Sequence, residues 1–148
     1  MAKTIFSQNS QQEIFQRLEK LKVDSAAKWG KMNNAQMLAH LSAQLRIALG
    51  DLNGPIELPN WILPLIKFGG LQLPWIKNIL KAPKPMVIQE SASFHVEKEA
   101  FQMWLKKFLS YPKGITFKPH PLLGKLNYDE WGQMAYKHID YHFKQFGI

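Results

Sequence analysis

Four segments of this chain place apolar residues at helical spacing, and this pattern constrains the fold more than any other feature. In the first segment, Ile14, Leu18 and Leu21 lie on one helical face. No stretch alternates apolar and polar residues for long enough to build a sheet. The sequence therefore predicts an all-α protein whose helices cover about residues 10–21, 34–49, 96–109 and 128–146.

Residues that cap helices stand at the ends of these segments. Ser10 precedes Glu13 by three residues, and Asn127 precedes Glu130 by three, which is the spacing of a capping box. Gly50 follows the second stripe, where helices commonly stop. These signals predict four helices with defined ends.

The crossover between the second and third helices is rich in proline. Residues 51–92 contain Pro55, Pro59, Pro64, Pro74, Pro83 and Pro85. This composition predicts turns, short helical pieces and one extended piece near residues 86–88. We therefore expect an antiparallel four-helix bundle with a Pro-rich crossover between helices 2 and 3, forming a single domain over residues 1–148.

Composition narrows the possible functions. The chain has no cysteine, which excludes a disulfide scaffold, a Cys-ligated metal site and a Cys nucleophile, and we expect a cytoplasmic protein. The net charge is +8, but the lysines are dispersed and no helix-turn-helix or basic-aromatic motif accompanies them. A nucleic-acid or anionic-membrane binder is therefore the least favoured of the functions considered.

One apolar stretch, residues 61–80, calls for comparison with a membrane span. Prolines, glycines and lysines interrupt it, so we expect no transmembrane helix. The alternatives are a surface-lying amphipathic segment, a buried crossover, an apolar wall for a substrate, or the face of a homodimer. The interrupting residues are Pro64, Lys67, Gly69, Gly70, Pro74 and Lys77.

Histidines mark the candidate site. His138 and His142 are four residues apart on the last predicted helix, so their imidazoles are neighbours that can share one metal ion. This spacing alone more often reflects one solvated and one core histidine. His40 favours the metal site over two unrelated histidines, because it borders the apolar stripe of the second helix and can face the same interior. Its own alternative is a core histidine bonded to a backbone carbonyl.

Two blocks resemble signatures of the DinB/YfiT-like metalloenzyme superfamily. The first is WGKMNNAQMLAHL at residues 29–41, and the second runs from HPLLGKLNYDEWG at residues 120–132 to YKHIDYHFKQFG at residues 136–147. The second block resembles a small branch of unknown function. The resemblance implies a four-helix bundle with metal ligands at His40, His138 and His142.

The resemblance also implies a chemistry. Three neutral imidazoles leave a divalent transition metal, zinc or nickel by preference, with open positions for a ligand. Relatives include thiol-dependent S-transferases and hydrolases, which implies a small-molecule substrate and a low-molecular-weight thiol. The alternative is a non-catalytic metal- or ligand-binding bundle. No catalytic residue is assigned. Gln36, one turn before His40, and His120, beside Pro121, are candidates for lining or supporting the site.

Overall fold

The computed structural model describes residues 2–79 and 81–148, and within them the protein is all-helical and has no strand. Met1 and Leu80, which belong to the predicted domain and to the apolar stretch, lie outside the described residues. The helices are α1 (Gln8–Lys20), α2 (Asn34–Leu49), α3 (Leu63–Gln72), α4 (Phe94–Leu109) and α5 (Tyr128–Gln145). A short 3-10 helix, Lys84–Met86, lies between α3 and α4.

The four predicted helices are present as α1, α2, α4 and α5, and the caps explain most of their ends. Asn127 forms the predicted capping box with Glu130, and Gly50 ends α2 with a positive φ of 77°. The first cap differs from the prediction. Ser7 caps α1, and Ser10 is a buried residue whose backbone N–H donates to the Ser7 side chain.

Helix α3 was not among the four predicted helices. The prediction treated Pro64, Gly69 and Gly70 as interruptions. Pro64 instead lies in the first turn of α3, where backbone N–H groups have no partner within the helix. The proline therefore removes no helical hydrogen bond. The two glycines lower helix propensity without ending the helix, because α3 packs against α5. The 3-10 helix likewise replaces the start of the extended piece predicted near residues 86–88.

Packing centres on α2 and α5. Helix α2 packs on α4 and α5, and α1 and α3 also pack on α5. Trp131, Phe101 and Phe143 are fully buried in this core, and the Trp131 indole donates to the Lys118 carbonyl. Where α2 and α5 meet, polar side chains are buried among apolar ones.

Helix α3 is anchored beside that junction. The Lys137 ammonium of α5 donates to the carbonyls of Gly70, Leu71 and Leu73 at the C-terminal end of α3. The Trp75 indole donates to the Gly70 carbonyl at 2.9 Å. The last carbonyl groups of a helix lack partners within it, and cations or other donors can bind them. These hydrogen bonds therefore hold α3 beside the face of α5 that carries the histidines.

No helix in residues 2–79 or 81–148 has the length and apolar character that a bilayer crossing requires.

Candidate metal centre

The three predicted histidines come together where α2 and α5 pack. His40 lies on α2, and His138 and His142 lie one turn apart on α5. All three are buried, and each contributes one ring nitrogen to a group whose members lie within 4.8 Å of one another. These residues could hold a metal ion.

Their rings are arranged almost symmetrically. Every pair of ring centroids is 4.8 Å apart, and every pair of ring planes is inclined by 75°. His40 Nε2 and His138 Nε2 are 2.8 Å apart. Three imidazoles that surround one point in this way present a three-nitrogen face.

Hydrogen bonds fix which nitrogen is free in two of the rings. His40 Nδ1 lies 2.7 Å from the Met86 carbonyl, which can only accept, so Nδ1 carries the proton. His142 Nδ1 lies 2.7 Å from Gln145 Oε1, and the Gln145 amide nitrogen donates to the Trp29 carbonyl at 2.7 Å. Both rings therefore present the lone pair of Nε2 to the common centre.

The tautomer of the third ring, His138, depends on the orientation of the Gln44 amide. His138 Nδ1 lies 2.9 Å from Gln44 Oε1, which gives His138 the same tautomer as the other two rings. The lone pairs of His40 Nε2 and His138 Nε2 then face each other at 2.8 Å. In this tautomer the two lone pairs repel each other unless one cation binds both nitrogens, which a metal ion would do.

The same residues also admit a metal-free pattern. His120 Nδ1 accepts from the backbone N–H groups of Leu122 and Leu123, so its Nε2 carries a proton and faces the Gln44 amide nitrogen at 3.4 Å. If the Gln44 amide is turned end for end, it accepts from His120 and donates to His138. His138 Nε2–H then donates to His40. The orientation of Gln44 distinguishes the two patterns.

Burial keeps these imidazoles neutral. Desolvation lowers the pKa of His142 to about 3, with the nearby His40 adding to the effect, and lowers the pKa of His120 to about 4. Desolvation also lowers the pKa of His40 and of His138, and neighbouring histidines lower the latter further. Only a neutral imidazole binds a metal, so the cluster is in the ligating form at neutral pH.

A cavity of about 640 Å³ opens onto the cluster. All three histidines line it, together with Gln44 and His120. Part of the wall comes from α3 and the segment that follows it, so nine described residues of the apolar stretch, for which a substrate wall was one alternative, line the cavity. The volume is within the range of about 300–1,000 Å³ that is usual for small-molecule sites.

The supporting residues differ in part from those predicted. Gln36 is not among the described residues that line the cavity: its Oε1 accepts from the Asn33 N–H, and its amide nitrogen donates to the Gln89 carbonyl. His120 does line the cavity, and it also shapes its loop. Asp140 is ion-paired with Arg17 and Lys144.

Sequence reasoning did not single out the groups that orient the rings. Gln145 follows His142 by three residues, and Gln44 is a buried polar residue within the apolar stripe of α2, so both left a signal in the sequence. The role of the Met86 carbonyl could not be predicted from the sequence, because the crossover brings it to α2 from a distant part of the chain.

Comparison of the chain with family models, with curated proteins and with solved structures finds no match. Three neutral nitrogens would leave a divalent ion with its full charge and with coordination positions open toward the cavity.

We predict that the metal-free protein loses stability below pH 6.5. Folding lowers the pKa of His120 from 6.5 to about 4, so the unfolded chain takes up the proton first as the pH falls. The contribution of neutral His120 to the free energy of unfolding is complete above pH 6.5 and is lost toward pH 4. Each such histidine contributes a slope of about 1.4 kcal/mol per pH unit.

Urea unfolding in the presence of a chelator, at pH values between 6 and 5, measures this slope. His120→Gln should reduce the slope by about 1.4 kcal/mol per pH unit relative to the wild type. The comparison concerns the pH dependence, so a constant loss of stability in the variant does not affect it. Equal slopes in the two proteins would contradict the buried neutral state of His120.

Proposed function

We propose that this protein is a metal-dependent enzyme of the DinB/YfiT-like superfamily, with its metal bound by His40, His138 and His142. In this proposal α1, α2, α4 and α5 form the antiparallel four-helix bundle, and α3 belongs to the crossover. The positions of the histidines support it: one lies on the second helix of the bundle and two lie one turn apart on the last.

The observation that carries the proposal is the convergence of three buried imidazole nitrogens, all within 4.8 Å of one another, beside a cavity. The Met86 carbonyl and the Gln145 amide hold two rings with their lone pairs directed at that point. An oriented set of neutral imidazoles is the donor set of zinc and nickel sites that keep an open position. A bound ion would polarise a substrate oxygen, or lower the pKa of a water or thiol.

The proposed reaction is transferase or hydrolase chemistry on a small electrophile. The chain has no cysteine, so in the transferase case the thiol is a second, low-molecular-weight substrate. The residues of the chain hold the metal and bind the substrate, and none is assigned as an acid or a base. The proposal places the protein in the cytoplasm. The exposed part of the apolar stretch outside the described cavity lining, which includes Trp61 and Phe68, is its candidate homodimer face.

A non-catalytic ligand-binding bundle is the second candidate. The metal-free hydrogen-bond pattern favours it, because His120, Gln44, His138 and His40 then form one continuous donor–acceptor chain that needs no ion. This candidate predicts the same cavity without turnover.

We predict that the purified, tag-free protein binds about one equivalent of zinc or nickel, and that the triple variant His40→Ala/His138→Ala/His142→Ala binds none. Elemental analysis after reconstitution and desalting measures the content. His95→Ala is the matched control, because His95 is an exposed histidine on α4 outside the cluster. Stoichiometric metal in the triple variant, or none in the wild type, would exclude the three-histidine site.

Substitution of Gln44 provides a second test. Gln44→Glu offers acceptors to His138 Nδ1–H and to His120 Nε2–H together, and its charge offsets that of the ion, so we expect metal affinity to rise about tenfold. Gln44→Leu removes both hydrogen bonds and should lower the metal affinity by about 10- to 100-fold. Competition with a chromophoric chelator measures both values. If Gln44→Glu and Gln44→Leu shift the affinity equally, Gln44 does not orient His138.

A further inference from the structure

The cavity above the histidines is strongly apolar. The histidines and Gln44 are buried and form its floor, Tyr141 and Lys81 are the other polar or charged side chains of the described lining, and the remaining lining is mostly aliphatic and aromatic. Helix α3 leaves free space there, since a Cβ added to Gly69 would meet no heavy atom of the described residues within 4 Å. The principal wall residues are Ile66, Leu73, Trp75, Ile76, Ile79 and Leu123.

The walls offer almost no charge to a ligand. Among the described residues that line the cavity, Lys81 is the one ammonium group, and there is no carboxylate. A ligand that carries several charges would have to bury some of them without partners, which costs several kcal/mol for each group. This lining therefore selects against polyionic molecules.

The exposed part of the lining, which forms the mouth of the cavity, is mainly apolar, and Lys81 is the charged residue described there. Leu73 is 53% exposed, and Ile76 and Ile79 are each 63% exposed, although all three line the cavity. Large aliphatic side chains gain about 25 cal/mol for each Å² that a ligand covers. A ligand long enough to extend from the floor to the mouth would cover these residues.

We infer that the ligand of this cavity is a small molecule with an extended apolar body and a single polar end that reaches the histidine cluster. The inference deepens the proposed function and rests on it for the role of that polar end. It specifies a thiol, carboxylate or related group on an aliphatic or aromatic body. It argues against a sugar-like or peptide-like thiol with several charges.

The test uses a series of n-alkyl hydroxamates with two to eight carbons, each with one metal-binding end. Their affinities are measured by displacement of the neutral fluorescent dye N-phenyl-1-naphthylamine, with the zinc-reconstituted and the metal-free protein in parallel. A buried CH₂ contributes about 0.8 kcal/mol, so Kd should fall about fourfold for each added carbon until the cavity is filled.

The variant Ile76→Ser/Ile79→Ser tests the mouth directly. Both residues are largely exposed, so we expect the variant to fold normally and to bind the eight-carbon hydroxamate about tenfold more weakly, with little change for the two-carbon compound. Val23→Ser is the matched control, because Val23 is 64% exposed and lies outside the described lining. This control should leave the whole series unchanged.

The outcomes separate the inference from the proposed function. A chain-length dependence in both protein forms, with tighter binding when zinc is present, supports both. The same dependence without any effect of zinc supports the apolar cavity and overturns the metal-based function. Affinities independent of chain length, or tighter binding of glutathione than of the eight-carbon hydroxamate, overturn the inference even if zinc binds.

Discussion

The site depends on one constraint, the burial of three imidazoles at a single point between α2 and α5. A buried polar group needs a partner, and each ring finds one at Nδ1: the Met86 carbonyl, Gln44 and Gln145. The other nitrogens are left facing one another. The crossover is tied to this arrangement, because its 3-10 helix brings the Met86 carbonyl to His40.

Much of this arrangement can be predicted from the sequence because it depends on local periodicity. The stripes of α1, α2, α4 and α5 identify four helices, and the four-residue spacing of His138 and His142 places them on one face. The composition of residues 51–92 predicted short helical pieces but did not locate α3, whose C-terminal end accepts hydrogen bonds from Lys137 and Trp75 of distant or later sequence. Gln36 has the spacing of a supporting residue but is used as a helix cap.

Two kinds of segment build the cavity. The helices that carry regular stripes supply the histidines, whereas α3 and the segment after it supply an apolar wall. A stretch that resembles a weak membrane segment in the sequence thus lines a cavity in the fold. Two exposed isoleucines of this stretch, Ile76 and Ile79, are part of that lining.

The central claim is that His40, His138 and His142 bind one metal ion together. X-ray absorption of the zinc-reconstituted protein tests it most directly. We predict scattering from three imidazole rings bound through nitrogen at about 2.0–2.1 Å, with one or more light-atom positions left for water. A spectrum fitted by one imidazole or none, or by carboxylate oxygens in place of the rings, would contradict the account.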